Sequence, residues 1–288
     1  MTAHVAERGE GRGRVVLRLT GGYPVSERAI EAAIKVAKAF HSEIESLFVA
    51  DRQIADAAGY GFAREIGPVA ALSGKIAIAT IERELELSAR AALRRVCELA
   101  QQADVPVHDR FVRDTPLGAL AHACQMAGPW NIVVFAEPFT IDVLARLERV
   151  FERVTGMTGI LMVGPRARRA GGPVVAVIED IERLPGMVRT AHRLAAAERQ
   201  DVILAITART RSGQNWIEDE VRHASVDLSH LKIVGLGRPG AGTAVAAEML
   251  RQLHPGLVIA EHGGIVVPRS GEHGALAAAL ECPLLVVR

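Results

Sequence analysis

VVLRLTGGYPVSERAIEAAIKVAKAFHSEIESLFVA, residues 15–50, and VVAVIEDIERLPGMVRTAHRLAAAERQDVILAITA, residues 174–208, together decide the fold. Each stretch is an apolar run, a loop, an amphipathic segment and a second apolar run. The closing segments of the two halves also correspond. NIVVFAEP (131–138) and GILMVGP (159–165) end the first, and GLVIAEHG (256–263) and CPLLVVR (282–288) end the second. A repeat of this length exceeds the ~20–50 residues of a solenoid unit, so the chain reads as a duplicated domain.

Short apolar runs that alternate with helical patterns are the signature of parallel α/β architecture. In the first half strands are expected near 14–20, 43–50, 106–112, 131–136 and 159–164. Helices are expected near 25–40, 75–103, 116–127 and 141–154. In the first helix Ala29, Ala33, Val36, Ala37 and Phe40 form one stripe. Asp114-Thr115-Pro116 reads as a helix start. In the second half strands are expected near 173–178, 201–207, 231–236, 256–260 and 283–287. Helices are expected near 184–198, 216–224, 242–253 and 272–280, with no counterpart to the long helix. Residues 51–74, with Gly59, Gly61, Gly67, Pro68 and Gly74, read as a ligand-covering loop or a surface insertion. The expected organisation is a flexible tail over 1–13, a first domain over 14–165, a linker over 166–172 and a shorter second domain over 173–288. Arg166, Arg168 and Arg169 read as a solvated linker.

Composition narrows the function. The net charge is +1, which gives no electrostatic case for a nucleic-acid or membrane partner. Residues are 49% hydrophobic and only 4% aromatic, which fits aliphatic sheet and helix layers rather than disorder. No apolar run reaches the ~20 residues of a membrane span, and the N-terminus has no apolar signal core. Cys97, Cys124 and Cys282 show no CxxC spacing and read as small buried residues in a reducing cytoplasm. The ten histidines form no HxH or HExxH pattern, so no metal site is expected. Ser270, Glu272, His273 and His262 lack the GxSxG frame, so no catalytic residue is assigned. Trp130 and Trp216 read as packing residues.

Taken in order, these segments resemble the universal stress protein family, as two tandem copies. SERAIEAAIKVAKAF resembles its first helix, VRDTPLGALAHACQMAGPWNIVVFAEP its third strand through fourth strand, and CPLLVVR its final strand. The resemblance implies two open-sheet α/β domains, each a five-stranded parallel sheet of order 3-2-1-4-5 with helices on both faces. It also implies a stress-response role without catalysis, in the cytoplasm. Nucleotide-binding members carry an Asp at the end of strand one and a glycine-rich phosphate loop after strand four. The first half lacks both: strand one ends Leu19-Thr20-Gly21-Gly22, and Glu137-Pro138-Phe139-Thr140 follows strand four. Glu137 would repel a phosphate and Pro138 has no N–H to offer. The second half offers Asp180 for the adenine side and Gly263, Gly264, Ser270 and Gly271 for the phosphates, with ATP or AMP as the ligand. The spacing is shorter than the family's and its last two residues are exchanged. The alternatives are a protein-interaction scaffold that binds no nucleotide, or an adenine-nucleotide hydrolase-like enzyme. Family domains pair through their last strands, so an intramolecular pseudo-dimer or a homodimer is expected.

Overall fold

The computed structural model describes residues 13–19, 26–51, 64–66, 73–75, 78–126, 128, 130–136, 147–169, 171–224, 231–237, 240, 242–269 and 273–288. The first half runs β1 (Arg14–Leu19), α1 (Glu27–Ala39), β2 (Glu43–Asp51), β3 (Arg64–Ile66), β4 (Ser73–Lys75), α2 (Ile78–Gln102), β5 (Val107–Asp114), α3 (Pro116–Gln125), β6 (Asn131–Ala136), α4 (Leu147–Arg153) and β7 (Met157–Val163). The second half runs β8 (Val174–Ile178), a single 3-10 turn (Ile181–Arg183), α5 (Leu184–Ala196), β9 (Val202–Ile206), α6 (Arg211–Ala224), β10 (Lys232–Gly235), α7 (Thr243–Gln252), β11 (Leu257–Glu261), α8 (His273–Ala279) and β12 (Leu284–Val287).

The main sheet has ten strands in the order β10-β9-β8-β11-β12-β7-β6-β1-β2-β5. Each half therefore has the order 3-2-1-4-5, and every pairing within a half is parallel. The halves join where β12 runs antiparallel to β7, with Leu285 opposite Leu161 and Val286 opposite Ile160. Both strands thereby lose the open edge they would carry in a separate domain.

Alternation along the strands feeds two core layers. Val15, Leu17 and Leu19 face the layer beneath α1, α2, α5 and α6. Val16, Val133 and Val175 face the opposite layer beneath α3, α4, α7 and α8. Each layer continues across the seam because the sheet does. Helix α1 is buried well beyond its expected stripe, with Ile30 and Ile34 also covered, because it packs against the sheet, α2 and α5.

The helix start at Asp114-Thr115-Pro116 forms as expected, with the Gly118 N–H donating to Thr115 Oγ1 at 3.3 Å. Elsewhere the structure corrects the sequence reading. Helix α6 begins at Arg211 rather than 216, because Thr210 Oγ1 accepts the Gly213 N–H and caps a start that Ser212-Gly213 disguises. It is the short counterpart of the long helix that the sequence reading denied. In and just beyond 51–74, β3 and β4 pair antiparallel, with Arg64 opposite Lys75. The linker is pinned rather than solvated at Arg169, whose guanidinium lies 2.7 Å from the Glu281 carboxylate. Trp216 is 53% exposed, while Trp130 does pack, on Phe40. Cys124 and Cys282 are buried and Cys97 is not; burial pushes the Cys124 thiol up to about 12, which leaves it inert at neutral pH. The expected tail, Gly21, Gly22 and the residues of 137–146 lie outside the described residues.

Candidate functional site

In an open parallel sheet the strand order reverses at a crevice beyond the carboxyl ends of two strands, and ligands bind there. The second half has its reversal between β8 and β11. Strand β8 delivers Glu179 and Asp180 to that point, and β11 delivers Glu261, His262, Gly263 and Gly264.

Residues 262–267 form a tight turn in which four amides are already spent. The His262 N–H donates to the Val287 carbonyl at 2.8 Å, and the Gly263 N–H to the Val267 carbonyl at 2.7 Å. Gly263 takes φ +92°, a conformation that favours glycine. The next two donors meet a carboxylate from across the crevice: the Ile265 N–H donates to Glu179 Oε2, and the Val266 N–H to Glu179 Oε1 at 3.1 Å. Gly264 is a close-approach glycine, since a Cβ there would stand 2.5 Å from Glu179 Oε2. Val266 and Val267 point into the core and anchor the turn. The His262 ring lies 4.5 Å from the Phe151 ring of α4, so the second half's turn rests on the first half.

Glu179 thus occupies the position an anion would take on successive backbone amides. Burial pushes its carboxyl above the usual value, while the Ile265 and Val266 amides and Arg209 pull it down. Burial also raises Glu261; Arg183 opposes that rise, and Glu179 and Asp180 add to it. Three acidic groups therefore share the crevice, a field that disfavours a phosphate.

Of the residues proposed from sequence, Gly263 and Gly264 stand together at the turn. Asp180 lies on the rim and accepts the Glu182 N–H at 3.0 Å, capping the 3-10 turn. Ser270 and Gly271 lie outside the described residues. Sequence reading missed Glu179 as the group that fills the turn. The available signal was its position, the first residue past strand one, from which a side chain reaches the loop after strand four. In the first half Arg18 of β1 takes the place of Val177 in the repeat, and its guanidinium lies 5.8 Å from the Phe135 ring centroid. Among the described residues no group of three His, Cys, Asp or Glu could hold a metal ion, and no helix is long and apolar enough to cross a membrane.

The fold has parallels among solved structures. A universal stress protein from Archaeoglobus fulgidus superposes with a TM-score of 0.65 at 10% identity, covering 96% of this chain and 97% of that one. The chain has the fold of a tandem universal stress protein. A universal stress protein from Pseudomonas aeruginosa matches with a TM-score of 0.56 at 11% identity, over 96% and 94% of the two chains. The cytoplasmic domain of a prokaryotic cation chloride cotransporter matches with a TM-score of 0.57 at 11% identity, over 96% and 95% of the two chains. No protein-family model matches the sequence, and no curated protein does.

Proposed function

We propose that this chain is a non-catalytic stress-response regulator of the cytoplasm that works as an interaction scaffold, and that it binds no adenine nucleotide while Glu179 holds the turn after β11. The observation that carries this reading is the Glu179 carboxylate on the Ile265 and Val266 amides. It puts negative charge where a phosphate would have to enter, with Asp180 and Glu261 adding charge of the same sign. The stress-protein fold supports the regulatory role by analogy of fold. Its use as the cytoplasmic domain of a cotransporter is consistent with action through other proteins.

Calorimetric titration with ATP and with AMP tests the reading. The wild-type chain is expected to give no binding heat with either, and one nucleotide bound per chain would overturn the proposal. The same amide pair favours one second reading, an anion sensor gated by Glu179. In that reading Glu179→Ala exposes the amides and gains ATP or phosphate binding, with Asp180 on the adenine side and Gly263, Gly264, Ser270 and Gly271 around the phosphates. Silence from both wild type and E179A leaves the scaffold alone.

A further inference from the structure

A cavity of about 310 Å³ opens at the seam, between α5 and the sheet formed by β6, β7, β12 and β11. That is the lower end of the ~300–1,000 Å³ of small-molecule sites. It meets the β8–β11 crevice at Glu261 and takes its walls from both halves. Phe40 and Trp130 of the first half form an aromatic wall, their ring centroids 5.3 Å apart at 50°. Leu285 and Val287 of the second half line the cavity beneath them.

Helix α5 and the turn before it supply the polar groups. Arg183, Gly186, Thr190 and Arg193 recur at helical spacing and all line the cavity, which makes it an elongated groove about 15 Å from end to end at 1.5 Å per residue. In the middle of this stripe Gly186 leaves the space open: a Cβ added there meets nothing within 4 Å. Arg193 lies 5.9 Å from the Phe40 ring centroid. Arg183 donates from Nη1 to the Arg288 carbonyl at 3.2 Å. Among the described residues neither arginine makes an ion pair. At the Arg183 end, Glu261 Oε1 is buried with no hydrogen-bond partner.

Another large cavity, about 460 Å³ between α2 and the β2–β5 edge, differs in that two of its four lining arginines are spent. There Arg90 pairs with Glu86 at 2.6 Å and Arg110 with Glu45 at 2.9 Å.

We propose that the seam cavity binds a small aromatic acid, a planar system of one or two fused rings with a carboxylate at one end and a hydroxyl or amino group at the other. The ring lies on the Phe40–Trp130 wall, where aromatic faces offer stacking area. The carboxylate pairs with Arg193, which presents a planar fork suited to it. The hydroxyl or amino group satisfies Glu261 Oε1, a buried oxygen that otherwise has no partner. Arg183, Arg193 and Arg288 line the cavity against the Glu261 carboxyl, which leaves it net positive and selects an anion.

The test reads Trp130 directly. The sequence has two tryptophans, so Trp216→Phe on exposed α6 leaves Trp130 as the only emitter. The probes are para-hydroxybenzoate and a hydroxynaphthoate with its two groups at opposite ends of the ring system. The expected result is saturable quenching of Trp130 at one probe per chain, confirmed by calorimetry. Adding Arg193→Leu should weaken binding by about tenfold or more. Gly186→Leu should abolish it, by filling the groove from a position with free space. Thr190→Phe is a second block should G186L fold poorly, and an unchanged thermal melt shows that each variant is intact. No saturable quenching by either probe up to about 10 mM, or binding that survives a folded blocking variant, overturns the proposal. Unchanged affinity in R193L overturns it too, since the carboxylate then has no role for its cation.

Discussion

At the scale of single residues, Glu179 carries most of the argument, and its titration gives it a measurable signature. Its carboxyl sits above the usual 4.5 in the folded chain because burial outweighs the two amides and Arg209. The folded state therefore keeps this proton over a range where the unfolded chain has lost it. The stability it contributes is full at low pH and is lost as pH rises from 4.5 through the folded value. Glu179→Gln removes that titration while leaving Asp180, Glu261, Arg183 and Arg209 in place. The melting temperature of E179Q minus that of wild type should therefore climb with pH over this window and then level off. A difference that falls with pH would mean that the amides outweigh burial, and that the carboxylate is a favourable internal ligand. Gly264 is legible in the sequence as a turn glycine. Its reason for being glycine, the Glu179 oxygen against its Cα, is not, because the two residues are 85 positions apart.

Elements show where local sequence suffices and where it does not. Short apolar runs located every strand of the main sheet to within two residues, since hydrophobicity and β-branching are local properties. The start of α6 was missed because its capping residue, Thr210, is followed by Ser212-Gly213, which read as loop. Charge on strands is also hard to place from sequence. Glu45 of β2 is 1% exposed and lies between Arg14 Nη1 and Arg110 Nε, both at 2.9 Å. The triad ties β1, β2 and β5 together at one end of the sheet. Glu45→Ala leaves Arg110 without its carboxylate and Arg14 with Glu43 alone, and should cost about 2–3 kcal/mol in urea unfolding. Arg110→Ala should cost less, since Arg14 remains to pair with Glu45. Equal costs for the two variants would argue against the bridging role.

For the whole molecule the decisive feature is the antiparallel β7–β12 junction. It makes one sheet of two and runs both core layers across the seam, and Lys35 of α1 adds an ion pair at 2.5 Å to Glu198 beyond the end of α5. With no apolar boundary between the halves, calorimetry should show one cooperative unfolding transition for the chain, and two separated peaks would mean that the halves unfold independently. The duplication and the α/β class followed from sequence alone, and the 3-2-1-4-5 order of each half was what the family resemblance implied. Repeat length, alternation and helical periodicity are written in neighbouring residues, and a resemblance needs only their order. What only the tertiary structure decided is where long-range partners meet: Glu179 on the Ile265 and Val266 amides, Phe151 against His262, and the seam cavity between Trp130 and Arg193. Periodicity says that a side chain faces inward, but which distant atom fills the space before it is fixed only when the strands take their places in the sheet.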